Sequence, residues 1–144
     1  MQVGFHGRRQ DLAEQVDAIL ATATGGSVHR TTETQDVDFK EEAGRRNGPE
    51  IEPGEPRNPM AATKLADEVA CMANTPGGGA LIVGVEDKTG RIIGTELDVD
   101  WLRQEIYQRV QVAPSIEERA VEGQRLLVLF VAASQQPVPN TSDQ

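Results

Sequence analysis

The stretch Ala73-Asn-Thr-Pro-Gly-Gly-Gly-Ala-Leu-Ile-Val-Gly-Val-Glu-Asp87, ANTPGGGALIVGVED, decides how the chain is read. Three glycines beside a run of Ile and Val suggest a phosphate loop. In phosphate-binding folds a strand leads into the glycine turn and a helix leads out, so that free N–H groups at the helix N-terminus face the anion. Here the order is reversed. The preceding segment MAATKLADEVACMAN places Leu65, Val69 and Met72 on one helical face, and Asn58-Pro59 before it is a capping side chain followed by a proline suited to the first turn. Pro76 and the glycines end that helix, so its C-terminus meets the turn, and that end repels anions. No Gly-Lys-Ser or Gly-Lys-Thr follows. Gly77, Gly78 and Gly79 are therefore predicted to reverse the chain sharply, and ATP is not expected as a cofactor. The following ALIVGVE is almost wholly apolar and is predicted to be a central strand buried on both faces, over Leu81–Val85.

Outward from this joint, the pattern alternates helices and strands. DLAEQVDAILA puts Leu12, Val16, Ile19 and Leu20 on one stripe of an N-terminal helix. In QDVDFKEE, Val37 and Phe39 point one way and Asp36, Asp38 and Lys40 the other, as in a half-buried strand. Gly44–Pro59 is rich in glycine, proline and charge and reads as a mobile loop with Ile51 as its one apolar anchor. After Asp87, DKTG is a turn and RIIG the return strand of a hairpin. Asp98 or Asp100 caps a helix carrying Leu102, Ile106 and Val110, which Pro114 closes. SIEERAVEG and RLLVLFVAAS form a last hairpin, and the polar tail QQPVPNTSDQ is expected to fray. Cys71 and Trp101 are assigned to the core, and Asn74 to tying the joint together.

Composition sets the outer bounds. The 144 residues suffice for one domain with a real core, and only 3% are aromatic, so aliphatic side chains supply it. A net charge of −9 argues against nonspecific nucleic-acid binding over the whole surface, though not against a local basic strip. The single cysteine excludes an internal disulfide and a cysteine-based zinc site. No signal-peptide core and no membrane-spanning run is present, so a soluble cytoplasmic protein without a membrane partner is expected.

Taken together, VDFKEE, ANTPGGGALIVGVED, GRIIG and APSIEERAVEGQRLLVLFVAASQQPVP resemble the Schlafen AlbA-like domain family from about Glu33 to Pro139. The resemblance implies an α+β fold, a mixed β-sheet with packed helices, here with an extra N-terminal helix. The divisions expected are residues 1–30 as that extension, 31–139 as the Schlafen AlbA-like domain and 140–144 as a polar tail. Members occur in bacterial regulators and helicase-like proteins, and related animal domains form a metal-dependent nuclease for tRNA and rRNA. The resemblance places that nuclease's three carboxylates on Glu33, Asp38 and Asp87, as catalytic residues and as ligands to Mg²⁺ or Mn²⁺. Such hard oxygen donors suit either ion. Two positions depart from the family pattern: Asp38 stands for the usual glutamate before Phe-Lys, and Glu86-Asp87 for an Asp-Asp pair.

Glu33 and Asp38 are an odd number of residues apart, so they share a site only if the chain bends between Thr34 and Asp36. Taken singly, each of the three acids also reads as part of a solvated polar face. Lys40 is a candidate phosphate contact or a partner for Glu41 or Asp38. Arg45 and Arg46 are the best basic pair for a nucleic-acid backbone, and surface solubility accounts for them nearly as well. Lys64 reads as a solvated helix lysine, and His6 and His29 suggest no triad. Three functions stay open: binding of RNA or DNA, metal-dependent RNA cleavage with tRNA among the substrates, and a noncatalytic module that pairs with a second copy or another protein.

Overall fold

The computed structural model describes residues 5–29 and 36–141. Its elements are α1 (Phe5–Ala21), β1 (Val37–Lys40), β2 (Arg46–Asn47), β3 (Glu50–Ile51), α2 (Pro59–Ala73), β4 (Gly79–Val83), α3 (Val99–Val110), β5 (Ser115–Val121) and β6 (Gln124–Val131). Four strands form one mixed sheet in the order β1-β4-β6-β5; β1 runs parallel to β4, and β6 runs antiparallel to both β4 and β5. This is the expected α+β fold.

Burial on both faces explains why β4 is so apolar. Leu81 and Val83 join the core under α2 and α3, whereas Ala80 and Ile82 join the core under α1. Every residue of β4 is buried, and it lies between β1 and β6. The helix stripes are where the spacing puts them: Leu12, Val16 and Ile19 close one face of the sheet, and Leu65, Val69, Leu102 and Ile106 close the other. Asn58 Oδ1 accepts from the Ala61 N–H at 3.2 Å with Pro59 opening the helix, and Asp98, rather than Asp100, caps α3 through the Trp101 N–H at 2.8 Å.

Several expectations are corrected. RIIG forms no return strand; only an isolated bridge joins Val85 to Ile92. The ladder fails because Gly84, at φ +110°, turns the chain, and its carbonyl accepts both the Ile93 and Gly94 N–H groups. The Gly44–Pro59 segment is not a plain loop but carries the β2–β3 hairpin. Arg45 pins it, donating to the carbonyls of Gly94 at 2.6 Å and Glu52 at 2.7 Å. The tail is docked through Thr141: Asn74 and the Val138 backbone exchange two hydrogen bonds (2.8 and 2.9 Å), Asp67 accepts twice from Thr141, and Val138 packs on the core. Asn74 is structural as expected, but it ties down the tail. Cys71 is exposed and Trp101 only partly buried.

Among the described residues, Glu42 is the one acidic residue that is buried, 2% exposed. Its Oε2 accepts from the Glu55 N–H and Asn58 Nδ2 (2.8 and 3.0 Å), and its Oε1 from Thr95 Oγ1 and the Glu96 N–H (2.8 and 3.0 Å). One carboxylate thus joins the end of β1, the segment after the hairpin, the cap of α2 and the approach to α3.

Candidate nucleic-acid interface

The joint of helix, glycines and strand does not hold the most promising surface. The turn is packed against the end of β6, with the Gly78 α-carbon facing the Val131 carbonyl. The chemistry-bearing side chains gather instead beyond the C-terminal ends of β1 and β4.

Four shallow hollows there, each of about 280–460 Å³, share walls in succession. The first lies between β1 and α2, lined by Lys40, Glu41, Lys64, Leu65, Asp67 and Glu68. The second shares Glu41 and Lys64 with it and adds Arg46. Arg46 and Glu41 recur in the third, which also includes Glu86, Asp87, Lys88 and Thr89. Asp87, Lys88 and Thr89 then open into the fourth, beside His29 and over Phe39. The result is a track open to solvent, with Lys64, Lys40, Arg46 and Lys88 spread along it and carboxylates between them. An open track with repeated cations suits an extended polyanion better than an enclosed small molecule.

The cations differ in how they are engaged. Lys40 pairs with Glu68 of α2 at 3.2 Å, rather than with Glu41 or Asp38. Arg46 grips both oxygens of Glu41 (2.9 and 3.0 Å) and also donates to Glu86. Glu86 accepts in addition from Thr89 Oγ1 at 2.5 Å; that bond first, and Arg46 next, hold its carboxyl below the usual range. The two carboxylates in turn raise the Arg46 pKa, chiefly through the bonds Glu41 accepts from it. Arg45 is spent on backbone carbonyls and supports the hairpin that carries Arg46. Among the described residues, Lys64 and Lys88 have no ion-pair partner. In the sequence Lys64 reads only as a solvated helix lysine and Lys88 only as part of a turn; the fold is what aligns them.

The three carboxylates are placed differently from one another. Asp38 is in register with Leu81, so it projects on the α2 side of the sheet. Asp87 lines the hollow over Phe39, whose side chain belongs to the α1-side core. Glu33 lies outside the described residues. Among the described residues, no three carboxylate, imidazole or thiol groups converge as a metal centre would require. The donor chemistry suits Mg²⁺ or Mn²⁺, and of the two described acids Asp87 alone opens into the track.

Residues 33–144 match the family described as Schlafen, AlbA_2. The chain belongs to the Schlafen AlbA_2 family. No curated protein matches it. Among solved structures, this Schlafen AlbA_2 chain is similar to the DIP2311 protein from Corynebacterium diphtheriae, with 68% identity, a TM-score of 0.93 and coverage of 96% of this chain. It spans 28% of that protein's chain. It also shares its fold with the N-terminal domain of a putative ATP-dependent DNA helicase RecG-related protein from Nitrosomonas europaea, at 19% identity and a TM-score of 0.51, covering 92% of this chain and 79% of that one. The family match begins at Glu33, so α1 lies outside the matched residues while covering one face of the sheet. No helix among the described residues is long and apolar enough to cross a membrane.

Proposed function

We propose that this Schlafen AlbA_2 domain binds RNA or DNA along the track beyond the ends of β1 and β4, working in the cytoplasm. The observation that carries the reading is the alignment of Lys40, Lys64, Arg46 and Lys88 on hollows with shared walls. Family membership and the helicase-related fold relative support it. A chain of net charge −9 needs such a local strip to hold a polyanion at all. Because lysines contact phosphates as point charges, the binding should be salt-dependent and tolerant of sequence.

Replacing Lys64 and Lys88 together with alanine is expected to weaken binding of a single-stranded RNA about tenfold at 0.1 M salt, and to lower the slope of log K against log salt by about 1.4, or ~0.7 per lost phosphate contact. Arg103→Ala on α3, away from the track, serves as the control. Equal losses from both variants, measured by fluorescence anisotropy, would remove the track from the reading.

The finer reading is metal-dependent RNA cleavage, with tRNA among the substrates. Glu33, Asp38 and Asp87 are its carboxylates, and Mg²⁺ or Mn²⁺ would supply an activated water and charge stabilisation when bound. Asp87 supports it best, because it lines the track together with Lys88 and His29. Asp87→Ala should abolish Mn²⁺-dependent RNA cleavage, and Asp38→Ala should do the same if that strand contributes a ligand. A wild-type protein that binds RNA but leaves it intact with Mg²⁺, with Mn²⁺ and with chelator is a noncatalytic binding domain. One that binds neither RNA nor DNA is an assembly module, and a concentration-dependent dimer in sedimentation would then be expected.

A further inference from the structure

We infer that Arg46 is an internal occupant of the track, held in a phosphate's place by Glu41 and Glu86, and that a nucleic-acid strand seats fully only when Arg46 exchanges these carboxylates for a backbone phosphate. The inference rests on the nucleic-acid reading of the track.

Arg46 stands at its midpoint. It lines both the hollow that holds Lys64 and the one that holds Lys88, so its position decides whether the two are continuous for a ligand. Its Nε and Nη2 reach Glu41 Oε1 at 3.1 and 2.9 Å, Nη2 reaches Glu41 Oε2 at 3.0 Å, and Nη2 also meets Glu86. This three-way contact ties β2 to the end of β1 and to the turn after β4. The forked guanidinium matches a phosphate as well as it matches a carboxylate.

Exposure makes the contact exchangeable. The Arg46 side chain is 48% accessible, so water and salt ions reach the contact and salt weakens it. Arg45 and Glu42 hold the hairpin by other bonds, so Arg46 can leave its partners without the hairpin unfolding. While the pair is intact, the middle of the track presents two carboxylates with their bonded arginine already engaged, and Asp87 lies alongside. That arrangement disfavours a polyanion until Arg46 turns outward.

The test is a mutational cycle on the full 144-residue chain, with a labelled single-stranded RNA 20-mer as probe in 0.1 M salt. The E41Q/E86Q variant removes both carboxylates and leaves Arg46 in place. E118Q/E122Q removes the same charge at the opposite edge of the sheet and frees Arg125 there from Glu118. Binding is expected to tighten about tenfold in E41Q/E86Q, and by no more than about threefold in E118Q/E122Q. R46A should cost E41Q/E86Q about tenfold, cancelling most of its gain, and cost the wild type clearly less, about threefold, because there the guanidinium is already engaged by the two carboxylates. Thermal melts confirm folding of each variant. Equal gains in the two glutamine pairs, or an R46A loss as large in the wild type as in E41Q/E86Q, overturns the exchange while leaving the track as a binding surface. Absence of binding by every variant instead overturns the nucleic-acid reading, and the exchange with it.

Discussion

Replacing Glu42 with alanine is expected to destabilise the protein by about 3 kcal/mol, because four donors, two of them on the buried side chains of Asn58 and Thr95, lose one shared acceptor. Against the ~5–15 kcal/mol typical of a whole domain, that leaves a marginal fold. The effect should carry a pH signature. Burial, the largest single influence, pushes the Glu42 carboxyl upward; the bonds from Asn58, the Glu55 N–H, Thr95 and the Glu96 N–H together outweigh it and hold it below 4.5. Since the folded value is below the unfolded one, the contribution is complete above about pH 4.5 and is lost as pH falls through the folded value. Glutamine cannot substitute, because its amide sets a donor against donors. In urea titrations, the gap between wild type and Glu42→Gln should therefore be widest near pH 7 and narrow as the pH falls through the folded value. A gap that stays constant across that range would show that the charge of Glu42 contributes nothing.

Gly78→Ala should cost about 3 kcal/mol or more, a loss to be read as a lowered urea midpoint. Gly78 sits at φ +65°, and an added Cβ would lie 2.0 Å from the Val131 carbonyl oxygen and 3.0 Å from the Ala133 N. Both are backbone atoms of the chain leaving β6, held nearby by the Ser134 N–H bond to the Ala73 carbonyl. Relief would require moving the end of a central ladder. A loss under about 1 kcal/mol, the ordinary scale for a tolerated glycine replacement, would mean that the turn yields more easily than this packing implies. The glycines are thus needed for close approach between two chain segments, a requirement separate from any contact with phosphate.

The fold was legible wherever one strong local signal settled a segment. The two-sided burial of β4 leaves a run without polar residues, and Asn58-Pro59 and Asp98 mark helix starts by their own chemistry. What escaped depends on partners distant in sequence. Two-residue strands carry no period, and β2–β3 is held by an arginine reaching Gly94, 49 positions away. Glu42 draws no assignment from its local sequence, because its burial depends on Asn58 and Thr95 folding around it. Cys71 follows a buried alanine on α2 yet is turned to solvent, out of line with Leu65, Val69 and Met72. In the candidate site, the motif pointed to Asp87 and Lys40, but the alignment of Lys64 with Lys88 is produced by the crossover through α2. The side to which Asp38 projects follows from its register with Leu81, which no spacing within QDVDFKEE contains.

The placement of β1 has a kinetic consequence. It is a four-residue outer strand, joined to the sheet in parallel by a long crossover, whereas β5 and β6 close through a tight turn. Local hairpins form ahead of pairings that must first close a long loop, so β1 is expected to dock last and to detach first. Its amide protons should exchange with deuterium faster than those of β4 and β6, through opening short of global unfolding; equal protection across the sheet would refute this. Lys40 and Asp38 therefore ride on the part of the sheet with the lowest opening energy, and a ligand held there would slow exchange most in the strand that folds latest.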